Sequence, residues 1–147
     1  MTAGRRHQQG NAVVEFALSF GLLFTVFGGV FQFGYVYYVY NTLESAVRGG
    51  ARYASVRVYD SPTSTPSSAY RTAVENMVVY GNPAGSGQPL APGLTPEKVS
   101  VTVAMDRNVP ARITVAISNY TVSAVLRSFA FAGKPKVTFP FVGRFAP

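Results

Sequence analysis

The 147-residue chain contains no cysteine and no tryptophan, a single histidine, and little charge. Without cysteine there is no disulfide framework, no thiolate zinc site and no cysteine nucleophile. His7 alone cannot form a histidine-based metal centre. Charged residues are 13% of the chain against 48% hydrophobic residues, which excludes intrinsic disorder and argues against a wholly cytosolic protein. Acids are the scarcer sign, 6 against 13 Lys and Arg, giving a net charge of +7. The cations are scattered as singles apart from Arg5-Arg6, so there is no basic stripe and no call for a nucleic-acid partner.

The longest gap in charge is the most informative. The 28 residues between Glu15 and Glu44 carry no charged side chain. Within them, residues 18–39 hold three Leu, five Phe and four Val. Those twelve supply about −4 to −7 kcal/mol toward membrane insertion. At ~1.5 Å per residue the stretch reaches about 33 Å, enough to cross a hydrocarbon core. Arg5, Arg6 and His7 precede it, and the tyrosine-rich run 35–40 closes it as an aromatic belt. The reading is one span with a cytoplasmic N-terminus and an exported C-terminal part. The run is too long for the core of a cleaved secretory signal, and no small-x-small site ends it.

The helix is expected to continue past the membrane. Leu43, Ala46, Val47, Gly50, Ala51 and Ala54 share one helical face, while Glu44, Arg48 and Arg52 share another. Ala46, Gly50 and Ala54 form a ridge of small residues that admits a close neighbour. That neighbour is either the chain's own domain or a partner helix, in which case Gly50→Leu would weaken assembly and leave the domain folded.

The resulting organisation is a basic leader over 1–10, a transmembrane and stalk helix over 11–57, and an exported α+β domain over 58–147. Residues 60–68 are a Pro/Ser/Thr linker. Residues 69–80 read as an amphipathic helix with Tyr70, Val74, Met77 and Val78 on one side, stopped by Gly81-Asn82-Pro83. Residues 81–97, with four Gly and four Pro, read as a flexible loop. Val99, Val101, Val103 and Met105, then Ile113, Val115 and Ile117, alternate as a hairpin around a turn at 106–110. Residues 121–132 place Val122, Val125, Leu126 and Phe129 at helical spacing, which predicts a further helix ended by Gly133 and Pro135. Val137, Phe139 and Phe141 alternate again, with Pro140 marking an edge strand. The domain is therefore a β-hairpin or three-stranded antiparallel sheet with short helices.

No catalytic constellation stands out. The acids Asp60, Glu75, Glu97 and Asp106 are dispersed in sequence, and Gly85-Ser86-Gly87 lacks the strand–turn–helix setting of a phosphate loop. The expectation is a protein that is not an enzyme and needs neither cofactor nor metal. The alternative to an assembly subunit is a single-span exported ligand-binding or sensory protein.

One constellation points further. A basic leader ends in Gly10, Asn11 follows, and Glu15 stands fifth after the glycine at the head of the apolar helix. This resembles a type IV prepilin signal. Together, GNAVVEFAL at 10–18 and AVRGGARYA at 46–54 resemble the TadE-like proteins of the tight-adherence (Flp) pilus system. The resemblance implies a membrane-anchored, pilin-like minor subunit or pseudopilin acting with pilus-assembly or secretion partners. It implies an inner-membrane location, possible incorporation into a pilus, and packing of the N-terminal helix in lipid and against other pilin-like subunits. It also implies prepilin-peptidase cleavage between Gly10 and Asn11 in some relatives, others remaining uncleaved. Relatives often carry proline six residues after the glutamate, where Gly21 stands here. From the residues themselves, Glu15 is either an acid compensating the helix N-terminus, worth a few tenths to 1 kcal/mol, or a charge held for a partner's amine.

Overall fold

The computed structural model describes residues 5–124 and 127–147, with the backbone alone over 5–10. Helix α1 runs Arg5–Val56 and α2 runs Ser68–Tyr80. A single 3₁₀ turn, Pro96–Lys98, leads into β1 (Val99–Asp106) and β2 (Val109–Ile117). Then follow β3 (Tyr120–Ser123), β4 (Ser128–Phe131) and β5 (Lys136–Pro140). The chain divides into two units, Met1–Tyr35 and Val36–Pro147. The fold is α+β: a long apolar helix, then a small domain with a three-stranded antiparallel sheet and a short helix.

The sheet has the order β1-β2-β5. Val103 pairs with Ile113, Ile113 with Phe139, and Val115 with both Val101 and Val137, so alternate positions of all three strands share one face. Val99, Val103, Ile113, Val115 and Ile117 are buried there. The β1–β2 turn is made by Arg107 and Asn108 at φ 48° and 63°. Positive φ at both positions gives the twist that a two-residue hairpin loop requires. Pro140 ends β5 on the sheet's edge.

Helix α2 starts at Ser67, whose hydroxyl accepts from the Tyr70 amide, and ends at Gly81 in the left-handed conformation (φ 69°). Tyr70, Ala73, Val74, Val78 and Val79 are buried. The 81–97 segment is fastened at several points. Ala91 and Leu94 are buried, the Leu90 amide donates to Val79 O, and Tyr120 Oη donates to Pro92 O at 2.6 Å.

The expected helix at 121–132 is not there. Over its described residues the segment is the β3–β4 hairpin, with Tyr120 opposite Phe131 and Ser123 opposite Ser128. Val125 and Leu126 lie outside the described residues. The physical reason is visible in composition. Residues 120–123 are Tyr, Thr, Val and Ser, β-branched or aromatic apart from the serine, and they alternate buried, exposed, buried, exposed. No (i, i+4) ion pair supports a helix here, because Arg127 is the segment's one charge. Gly133 and Pro135 therefore follow a strand rather than stopping a helix.

The last residues close the far side of the domain. Tyr59 N donates to Arg144 O and Ala146 N to Tyr59 O, making a parallel bridge between Tyr59 and Phe145. A Cβ on Gly143 would lie 2.6 Å from Arg57 O, so this strap passes closer to the end of α1 than any side chain would allow.

Candidate functional site: the N-terminal helix

The site called from the sequence is spread along α1, and its two ends are different environments. Over residues 11–27 every residue is exposed, while Gln32 further along is buried. Phe16, Leu18, Leu22, Phe24, Phe27 and Phe31 are each about two-thirds exposed or more (66–72%). Within 11–56 lies a window apolar enough to cross a membrane, none of which is covered by protein. A helix that is apolar on every face and has no protein against it has lipid as its natural solvent. Phe16, Phe20 and Phe24 stack along one side at 6.1 and 6.3 Å. Thr25 Oγ1 donates back to Gly21 O at 2.9 Å, so the hydroxyl inside the apolar stretch is satisfied by its own helix. The helix runs unbroken through Gly21, the position where relatives often carry proline.

Gly10 and Asn11 lie inside α1, and Glu15 is exposed on it. Because α1 already includes Arg5, Glu15 stands at least ten residues into the helix. The macrodipole acts within the first turn, so compensation of the helix N-terminus does not account for this acid in the full-length chain. The helix's first turn contains no acid. The stretch read as a leader is helical from Arg5 because Arg, His and Gln are tolerated in helices and only Gly10 interrupts them.

From Val39 onward α1 is a wall of the domain. Val39, Leu43, Ala46, Val47, Ala51 and Ala54 are buried along one face, with Gly50 among them. The small ridge Ala46, Gly50 and Ala54 lies on that face, and α2 of the same chain meets it. A Cβ built on Gly50 would overlap Val78 Cγ2, and Val74 O is 3.7 Å away. Tyr70 Oη donates to Ala54 O from the same side, and burial pushes its phenol well above the usual tyrosine range, which keeps it a neutral donor. Gly50→Leu would therefore drive a side chain into Val78, contrary to the expectation that the domain would stay folded. Gly49, one residue earlier, has nothing within 4 Å of its would-be Cβ. On the outer face Arg48 forms an (i, i+4) ion pair with Glu44.

Sequence reasoning missed the aromatic cluster that locks the top of α1. Tyr59 meets Tyr70 edge-on at 5.2 Å and also touches Phe141 and Phe145. No periodicity links these rings, because they come from a linker, a helix and the C-terminal strap. Glu75 and Arg71 form a long pair at 3.6 Å on α2. Burial raises the Glu75 carboxyl above the usual range, with Arg71 opposing the shift. Among the described residues, no group of three His, Cys, Asp or Glu could hold a metal ion.

One apolar N-terminal helix long enough to cross a membrane, continuing into a small α+β domain, fits the class of single-pass membrane proteins. The particular likeness lies in that helix: the family model described as TadE-like protein matches residues 10–52, a little under a third of the chain. The match includes Gly10, Asn11, Glu15, Ala46 and Gly50, and Ala54 lies just beyond it. It suggests involvement in tight-adherence pilus assembly. No curated protein and no solved structure matches the chain.

Proposed function

We propose that this protein is a non-enzymatic, inner-membrane, pilin-like subunit of a tight-adherence pilus, acting as a minor pilin or pseudopilin with its domain exported. The observation that carries this reading is the TadE-like match over an apolar helix with one acid near its start. The packing sharpens it. Since α2 occupies the Ala46–Gly50–Ala54 ridge, contact with other subunits falls to residues 11–35, where apolar side chains and Glu15 are open. The test is deletion of the chain in its own cell. Surface pili should disappear and return with the wild-type chain; undiminished pili on deletion would contradict the role.

Processing follows from the same helix. Gly10 is the one glycine between Arg5 and Phe20, costing about 1 kcal/mol relative to alanine, so within this first part of the helix the backbone opens there most readily to a peptidase. Cleavage would leave Asn11 as the new N-terminus and place Glu15 one turn away. Only then does the acid come within about one turn of the helix N-terminus, where it can pair with its own or a neighbour's amine. Intact mass of protein from native membranes should show loss of residues 1–10, and Gly10→Leu should abolish that loss. Only full-length chain from wild-type membranes would refute cleavage and leave an uncleaved anchor.

A further inference from the structure

After Asp106 the chain contains no acid at all, yet it carries Arg107, Arg112, Arg127, Lys134, Lys136 and Arg144. The fold separates these cations by level along the C-terminal part of α1. At one end, Val142 N donates to Ser55 O at 2.9 Å. At the other, the Phe131 ring meets Tyr40 edge-on at 5.4 Å. Tyr40 and Ser55 are about 22 Å apart along the helix. Strand β5 runs from Lys136 to Pro140, and the Val142 bond just beyond it sets Pro140 at the Ser55 end and Lys136 at the end nearer Phe131. In the antiparallel register, Ala116 sits opposite Lys136 and Arg112 opposite Pro140. Arg112 and the Arg107 turn therefore belong to the Ser55 end, as does Arg144 beside Tyr59.

What remains at the Tyr40 end is an exposed face that is mainly cationic, Glu97 being the acid near it. Ser128 on the β3–β4 hairpin, three residues from Phe131, and Lys134 and Lys136 just after the hairpin are all exposed. At the same level of α1, Tyr37 and Tyr38 are both 68% exposed, and Leu90, which lines a groove with Tyr38, is 47% exposed. Lys98 is already used, donating to Gly93 O and lying over the Tyr120 ring. Of the acids after Glu75, Glu97 lies in the groove with Arg71 and Glu75, and Asp106 is at the sheet's other end.

We propose that this face docks on an anionic lipid surface, with Lys134 and Lys136 set against headgroup phosphates and Tyr37, Tyr38 and Leu90 at the interface. Two arguments select lipid. The face is mainly cationic, and basic side chains beside a bilayer are drawn to anionic headgroups. It is also continuous with the tyrosine belt at which α1 leaves the membrane, where amphipathic rings settle at headgroup level. The proposal rests on the reading that α1 spans a membrane. Its consequence is that the domain is held flat against the bilayer, its opposite end presented outward.

The chain's lack of cysteine makes the test clean. The full chain carrying Ser128→Cys, or Val109→Cys as a control at the opposite end, is reconstituted into phosphatidylcholine vesicles with or without phosphatidylglycerol. Flotation after an alkaline wash confirms anchoring, and the rate of alkylation by a neutral maleimide-polyethylene glycol reads exposure. Ser128→Cys should react about tenfold more slowly on anionic vesicles, with Val109→Cys unaffected. Lys134→Gln with Lys136→Gln should restore most of the rate, each cation being worth roughly fivefold in the docked-to-free ratio. Equal rates on both floated vesicles would overturn the docking while leaving the anchor intact. Slowing only on addition of polyglutamate would assign the face to an acidic protein partner and overturn it too. A chain that floats with neither vesicle would defeat the spanning reading itself.

Discussion

Two adjacent glycines show how differently one residue type is used within a single helix. At Gly50 α1 meets α2 so closely that a Cβ would overlap Val78, whereas Gly49 faces open space. Gly49→Ala should therefore raise stability by up to ~1 kcal/mol, the helix-propensity gain. Gly50→Ala makes the same gain but overpacks the joint, which costs about 1–3 kcal/mol, so the net change should be a loss. Thermal unfolding in detergent checks both signs, and Val78→Ala should rescue Gly50→Ala. The sequence showed Gly50 as part of a small ridge but not its neighbour, because a three- and four-residue repeat locates a face without naming what covers it. Glu15 is the converse case. Its position in the motif was legible, but its electrostatic setting depends on where the helix begins, and Arg, His and Gln carry the helix back through residues that read as a leader.

Elements with strong alternation were readable, and those defined by coincidence of spacing were not. The β1–β2 hairpin, the β5 edge and α2 follow directly from period-two and period-3.6 patterns that each bury one face. Residues 121–132 satisfied a helical spacing by chance, while β-branched and aromatic side chains favoured a hairpin. Composition changes after residue 57, yet the core is closed by the buried face of α1 from Val39 to Ala54. A fragment comprising residues 36–147 should therefore fold and melt cooperatively, whereas 58–147 should not. Circular dichroism and proteolysis of the two fragments would show it. A folded 58–147 would mean that the helix is an accessory rather than a wall.

At the scale of the whole molecule, an uncharged helix and a short motif carried the functional reading, and the family match covers that same region. The domain was legible in class but silent on role, since its charges become a pattern only once the sheet register sorts them by level along α1. The central claim is that the N-terminal helix is an assembly element and not merely an anchor. Glu15 separates the two, being the charge within that helix's exposed stretch and lying outside the domain core. The direct measurement is surface pilus yield in a deletion strain complemented with Glu15→Ala, with membrane levels of the protein quantified in the same cells. The account predicts wild-type amounts of protein in the membrane and largely absent pili. Wild-type pili from the Glu15→Ala chain would contradict it and leave the helix as an anchor alone.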